Sequence, residues 1–148
     1  MNENYKLIVG EGNAELDQRL SDELDKVNAE ATAGISPARE LTVQILDSHG
    51  QLAAGMSGWT WGIAAGIAMT WVREDVRKDG LGTKLLHDFE QAAIERGCAH
   101  VFTTSFTFQA PGFYERHGYQ ELFRWEELPT PDAADIHFRK ELVTQNKK

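Results

Sequence analysis

Apolar and polar positions recur along this chain with two different periods, and their order sets out the elements. Residues 5–9, Tyr-Lys-Leu-Ile-Val, form a short apolar run closed by Gly10 and Gly12, and predict a first strand. Leu16, Leu20, Leu24, Val27 and Ala31 then recur every three or four residues, with Asn13 placed as an N-cap and acidic Glu15 in the first turn. This is an amphipathic helix, and its apolar face is expected to be buried. Gly34 and Pro37 end it.

Residues 41–46 and 51–61 read as two antiparallel strands around the tight turn Asp47-Ser48-His49-Gly50, with Trp59 and Trp61 on one face. After Gly62, residues 63–72 predict a further strand. Leu81, Leu85, Phe89 and Ala92 or Ala93 then mark one face of a helix over residues 80–96, closed by Gly97. Residues 101–105 are another strand, Pro111 and Gly118 bracket a short helix, and residues 119–126 and 136–142 are the last two strands. A strand, a helix and a strand in succession imply a right-handed crossover between parallel neighbours, whereas the other strands follow as hairpins. The prediction is an α+β fold: a mixed, mostly antiparallel sheet of six or seven strands flanked by helices, in a single domain over residues 1–148.

Composition narrows the function classes. No apolar run approaches the roughly 20 residues of a membrane span, and the N-terminus lacks the basic and apolar regions of an export signal, so a cytoplasmic protein is expected. A net charge of -8 disfavours nucleic acid and tilts the chain towards cationic partners. The lone Cys98 rules out an internal disulfide and a cysteine-based zinc cluster; at a helix-to-strand junction it reads as a small core residue, and no metal centre is expected.

The candidate chemistry begins where the strand ending Trp71-Val72-Arg73 runs into Arg77-Lys78-Asp79-Gly80-Leu81-Gly82-Thr83 and a helix. Glycines let the backbone approach a ligand closely, and a helix N-terminus aims N–H groups and a positive dipole end at an anion, so a pyrophosphate suits this turn. Neither the dinucleotide fingerprint nor the P-loop fits, because Leu85 stands where a third glycine belongs and no Gly-Lys-Ser/Thr follows.

Arg77-x-x-Gly80-x-Gly82 before the helix, the strand after it, and Ala110-x-x-Phe113-Tyr114-Glu115-Arg116-His117-Gly118-Tyr119 together resemble the GCN5-related N-acetyltransferase (GNAT) superfamily, in particular its small bacterial members. The resemblance covers roughly residues 63–119. It implies that acetyl-CoA is the co-substrate, with its pyrophosphate over the main-chain N–H groups of residues 77–83 and its pantetheine arm along Trp71, Val72 and Arg73. It implies that Tyr114 is the catalytic acid. A departing CoA thiolate needs a proton, and a phenol within hydrogen-bond reach can supply it. A backbone N–H around Val72 is expected to hold the oxyanion.

This chain departs from the family pattern at two positions. Glu74 stands where many members have proline, and Thr107 stands where many have a cofactor-binding asparagine; Gln109, two residues on, carries the same amide chemistry. No carboxylate lies on the strand over residues 63–72, so the base is open among Glu74, Asp75, His100, His117, His137 and water. Trp59, Trp61 and Trp125 are candidates for an aromatic acceptor pocket.

The implied activity is direct acetyl transfer, in a ternary complex, to a primary amine of a small molecule or peptide. Family members often dimerise, so a homodimer is one implied assembly. A non-catalytic acyl-CoA sensor or an interaction module is the alternative.

Overall fold

The computed structural model describes residues 4–143, in two compact units divided between Pro37 and Ala38. In the first, helix α1 (Ala14–Ala31) forms as expected, with the Asn13 side chain accepting from the Leu16 N–H at 3.0 Å. Thr32 closes it, its hydroxyl and N–H both bonding the Asn28 carbonyl. Two expectations fail here. Residues 5–9 form no strand, because a ladder needs a neighbouring edge and none pairs with them. Leu16, Leu20, Leu24 and Val27 are each more than half exposed, so this unit by itself does not bury the apolar stripe of α1. A stripe of apolar residues shapes a helix, but a unit of this size has too little chain to cover it.

The second unit carries one six-stranded sheet in the order β1-β2-β3-β4-β6-β5. β1 (Arg39–Leu46), β2 (Leu52–Trp61) and β3 (Ala64–Val72) form an antiparallel meander. Helix α2 (Leu81–Glu95) crosses over to β4 (His100–Phe106), which runs parallel to β3. After α3 (Pro111–Arg116), β5 (Gln120–Glu126) and β6 (Ala134–Glu141) complete the sheet, with β6 inserted between β4 and β5. The predicted α+β class and the parallel crossover are both present, with six strands because the first expected one is missing.

α2 buries Leu85, Leu86, Phe89 and Ala93 against one face of the sheet, where Met56, Ile67, Val101, Ile136 and Phe138 meet them. Cys98 is part of this core, and burial pushes its thiol pKa up, so it is protonated at neutral pH and serves as packing.

Two irregularities in β3 open the centre of the sheet. Its pairing with β2 slips between Ser57 and Gly58, which face Met69 and Ile67, so Ala68 is an extra residue in the ladder. Its pairing with β4 stops at Ile67 and Thr103. Beyond that point the two parallel strands part and leave facing edges unpaired. The extra residue also reverses parity: Ala65 and Ile67 face the core before it, whereas Thr70 and Val72 turn to the helix side after it.

Candidate active site

The gap between β3 and β4 opens into a cleft of about 790 Å³. Residues 67–72 of β3 form one wall and residues 103–106 of β4 the other. The turn before α2 and the helix α3 close its ends, with Gly80, Gly82, Thr83, Phe113, Tyr114 and His117 among the lining residues.

The turn holds free donors. Gly80 sits at the N-cap with φ +77°, a left-handed conformation that glycine adopts without strain, and no side chain caps the helix. The first intrahelical bond runs from the Lys84 N–H to the Gly80 carbonyl. The N–H groups of Gly80, Leu81, Gly82 and Thr83 therefore have no acceptor among the described residues. A side chain at Gly82 would come within 3.2 Å of the Phe113 ring, so glycine here keeps the approach open.

Strand β3 offers the second set of groups. Arg73 N–H bonds the Ala53 carbonyl on β2, so by alternation the main-chain groups of Thr70 and Val72 face the cleft. The Val72 carbonyl accepts from Arg77 Nε at 2.9 Å. That bond fixes the Arg77 side chain along the cleft and leaves the Val72 N–H available.

Tyr114 supplies the third element. Its ring is held edge-on by Phe113 and Tyr119, and its hydroxyl lies 3.1 Å from Thr70 Oγ1. Of the other tyrosines, Tyr5 lies in the first unit and is exposed. Tyr119 donates to Glu90 Oε2 at 2.7 Å, and burial, reinforced by the Glu90 charge, drives its pKa far above the ordinary phenol value. Lys140 bonds the same carboxylate at 2.9 Å. Tyr119 thus ties the chain ahead of β5 to α2, whereas Tyr114 faces the cleft.

Among the residues singled out in the sequence, Trp71, Val72, Arg77, Gly80, Gly82, Thr83, Gln109 and Tyr114 line the cleft together. Arg73, Lys78, Asp79, Leu81 and Thr107 do not. Leu81 packs its side chain on the core. Thr107 is committed to β6, its N–H donating to the Ala134 carbonyl and its hydroxyl accepting from the Ala134 N–H. Gln109 keeps its amide oxygen on the Phe106 N–H at 2.8 Å.

Arg73 turns away from the cleft. Its guanidinium clamps Asp75 through Nε and Nη2 and reaches Asp47 in the β1–β2 turn at 2.9 Å. The Asp75 carboxyl is held below the usual range by Arg73; Asp47 is held low first by the Gln51 N–H and then by Arg73. Folded pKa values below unfolded ones stabilise above the unfolded pKa, and the effect is lost as pH falls through the folded pKa. The clamp is therefore intact at neutral pH. Arg73→Ala should lower the melting temperature at pH 7, because it frees Asp75 from the β1–β2 turn, and the loss should shrink as pH falls through the folded pKa values of Asp47 and Asp75; melts across that range will show it.

Sequence reading missed Thr70, whose orientation depends on the slip at Ala68, and it assigned no role to Arg116, which lines the cleft. His117 was considered only as a base. Its Nδ1 donates to the Phe113 carbonyl at 2.8 Å, in the neutral ring Nε2 accepts from Thr83 Oγ1 at 3.0 Å, and both nitrogens are engaged. Trp59 packs over Gly66 and edge-on to Phe102, and neither it nor Trp61 nor Trp125 lines the cleft.

A parallel pair that splays beyond a bulge, a glycine turn with unmet N–H groups and a tyrosine across the gap define an acyl-CoA acyltransferase fold. The acetyltransferase (GNAT) domain profile matches residues 39–121, more than half of the chain, and the protein belongs to this family of acetyltransferases. It is 39% identical over 76 residues to a blasticidin-S acetyltransferase of Streptomyces morookaense, a match covering 49% of this chain and 54% of that protein. The chain thus spans about half the length of that relative. A solved acetyltransferase from Bacillus cereus is 30% identical with a TM-score of 0.77, over 92% of this chain and 98% of that one. An aminoglycoside 6'-N-acetyltransferase solved with coenzyme A shares the fold at 18% identity, with a TM-score of 0.64 over 91% and 95% of the two chains. No helix among the described residues is long and apolar enough to cross a membrane.

Proposed function

We propose that this protein transfers the acetyl group of acetyl-CoA to a primary amine of a small molecule or peptide, by direct attack within a ternary complex. The carrying observation is that one cleft is lined by Gly80, Gly82 and Thr83, whose N–H groups are unmet among the described residues, by the free edge of β3 and by Tyr114.

The residues present fit the co-substrate. A pyrophosphate takes several converging donors, and the N-terminus of α2 supplies them together with the positive end of its dipole. Arg77 adds positive charge along the same wall. A pantetheine arm carries two amides, which an unpaired strand edge can bond as it would a peptide. When bound, the group supplies an acyl carbon activated by a thiolate leaving group.

Every further step falls to the chain. The cleft-facing N–H of Val72 receives the negative charge that develops on the carbonyl oxygen as the amine attacks. Tyr114 donates its proton to the departing sulfur, and Thr70 Oγ1, 3.1 Å away, holds the phenol in place. The reading assigns the protein to the cytoplasm, where a lone reduced thiol such as Cys98 persists.

Small cationic amines are the favoured acceptors. The net charge of -8 attracts them, and the Streptomyces relative is named for an antibiotic acceptor. Acetyl-CoA at 100 times its dissociation constant should add about 2.7 kcal/mol of stability, seen as a raised melting temperature, and thiol release with an amine panel including blasticidin S should follow. An unchanged melting temperature would defeat the reading; a shift without turnover on any amine would favour the acyl-CoA sensor.

A further inference from the structure

Both faces of the sheet border the β3–β4 gap, but Tyr114, Thr70 and α2 all stand on the helix side. On the other face β4 presents Phe102, Thr104 and Phe106, and β6 sets Arg139, His137 and Asp135 directly opposite them. Thr104 and Phe106 line the cleft, so Asp135 and His137 are one strand away from it.

Asp135 and His137 form a bonded pair. Asp135 Oδ2 lies 2.9 Å from His137 Nε2, and a carboxylate only accepts, so Nε2 carries the hydrogen and in the neutral ring Nδ1 keeps the lone pair. Nδ1 has no hydrogen-bond partner among the described residues. The ring is stacked on Phe123, with centroids 4.3 Å apart and planes 18° from parallel, and the side chain is 29% exposed. The second oxygen, Asp135 Oδ1, is buried and meets no donor among the described residues. A buried carboxylate oxygen left without a donor is unfavourable in a resting structure and calls for a functional account. Across the pair, β4 contributes Thr104 and Phe106 and β5 contributes Phe123 and Trp125, none of them charged; Arg139, two positions along β6, is paired with Glu141.

We infer that His137 is the proton acceptor of the transfer reaction and that Asp135 is its positioning residue. This rests on the acetyltransfer reading. An amine arriving as an ammonium ion must lose a proton before its lone pair can attack. His137 Nδ1 takes that proton, directly or through one water, because directly opposed residues carry their Cβ atoms only about 5 Å apart. The nitrogen lone pair then forms the C–N bond and the C–S bond breaks. Tyr114 protonates the sulfur and is restored by the second proton lost from nitrogen, and the imidazolium returns its proton to water. Asp135 fixes the tautomer and stabilises the imidazolium. Acid and base thus stand on opposite faces of the gap, the acid on the leaving-group side and the base on the incoming side.

The test compares wild type, His137→Gln and Asp135→Asn by thiol release, using the amine with the highest activity in the panel, from pH 5.5 to 9.5. Wild-type kcat/KM should rise with pH along a limb that depends on the His137 imidazole. His137→Gln should lose that limb and fall about 10²-fold at pH 7, recovering as pH approaches the pKa of the amine. Asp135→Asn should give a smaller fall, and both variants should keep the acetyl-CoA melting shift of wild type. Added imidazole should partly restore His137→Ala, which a structural role would not allow. A His137→Gln enzyme with an unchanged pH profile overturns the inference and leaves the acetyltransfer reading standing. So does a loss of turnover matched by a loss of the melting shift. A wild type that binds acetyl-CoA and acetylates no amine overturns both.

Discussion

If the protein acts by the proposed acetyl transfer, Tyr114→Phe should lower turnover at neutral pH by about 10²- to 10³-fold while leaving acetyl-CoA affinity within about twofold, because it removes one proton donor and almost no volume. The ring stays in contact with Phe113, Tyr119 and Phe138, so the fold keeps its packing and only the bond to Thr70 Oγ1 is lost. The effect should sit in kcat, since a thiolate carries its charge only as the C–S bond breaks. A loss confined to KM would assign Tyr114 to binding and remove it from the chemistry. Within the unit that carries the cleft the other tyrosine offers no substitute, since Tyr119 holds its proton on Glu90.

Gly58→Ala should be the most destabilising small substitution in the sheet, by about 3 kcal/mol or more, and should lower the melting temperature by roughly 10 °C. A methyl group there would be driven into the carbonyl oxygen of Gly66 on β3 and against the Phe89 ring of α2. Neither neighbour yields cheaply, since one is backbone and the other is a fully buried ring. Gly66→Ala is the informative comparison: its methyl would meet the Trp59 indole, a side chain that can rotate. Gly66→Ala should therefore lose less. Equal losses would mean that the Gly58 contact is relieved by the strands moving apart. Because Gly58 stands at the slip that displaces Ala68, its replacement should also disturb the orientation of Thr70 and Val72 and lower activity in whatever fraction remains folded.

Much of this protein is local and was therefore legible. The Asn13 cap, the three-and-four spacing of α1 and α2, the turn closed by Asp47 and Gly50, and Pro111 opening α3 each act within a few residues. The glycine turn and Tyr114 were recognisable for the same reason: each motif is contiguous, and the order of elements carries them to one cleft. Residues 5–9 show the limit. Their composition favours a strand, yet a strand is a property of two edges, and the sequence carries no record of whether the second edge is there.

Side-chain commitments were equally hidden. Arg73 sits in the motif beside Val72 but spends its guanidinium on Asp75 and on Asp47, 26 residues away. Thr107 serves β6, and Trp59 packs on Gly66 and Phe102 across the sheet. In each case the choice depends on partners brought close by pairing between distant strands.

By itself the sequence determined the periodicity of the elements, their order, the parallel crossover around α2 and the residue types at a phosphate turn, because all of these follow from backbone chemistry over short spans. Tertiary structure decided where β3 and β4 part, which main-chain groups face the gap, and that Asp135 and His137 stand beside it on the opposite face from Tyr114. One extra residue in the β3 ladder reverses the parity of every position after it. That reversal is set by how two strands register against each other, and a period of two along a single strand cannot reveal it.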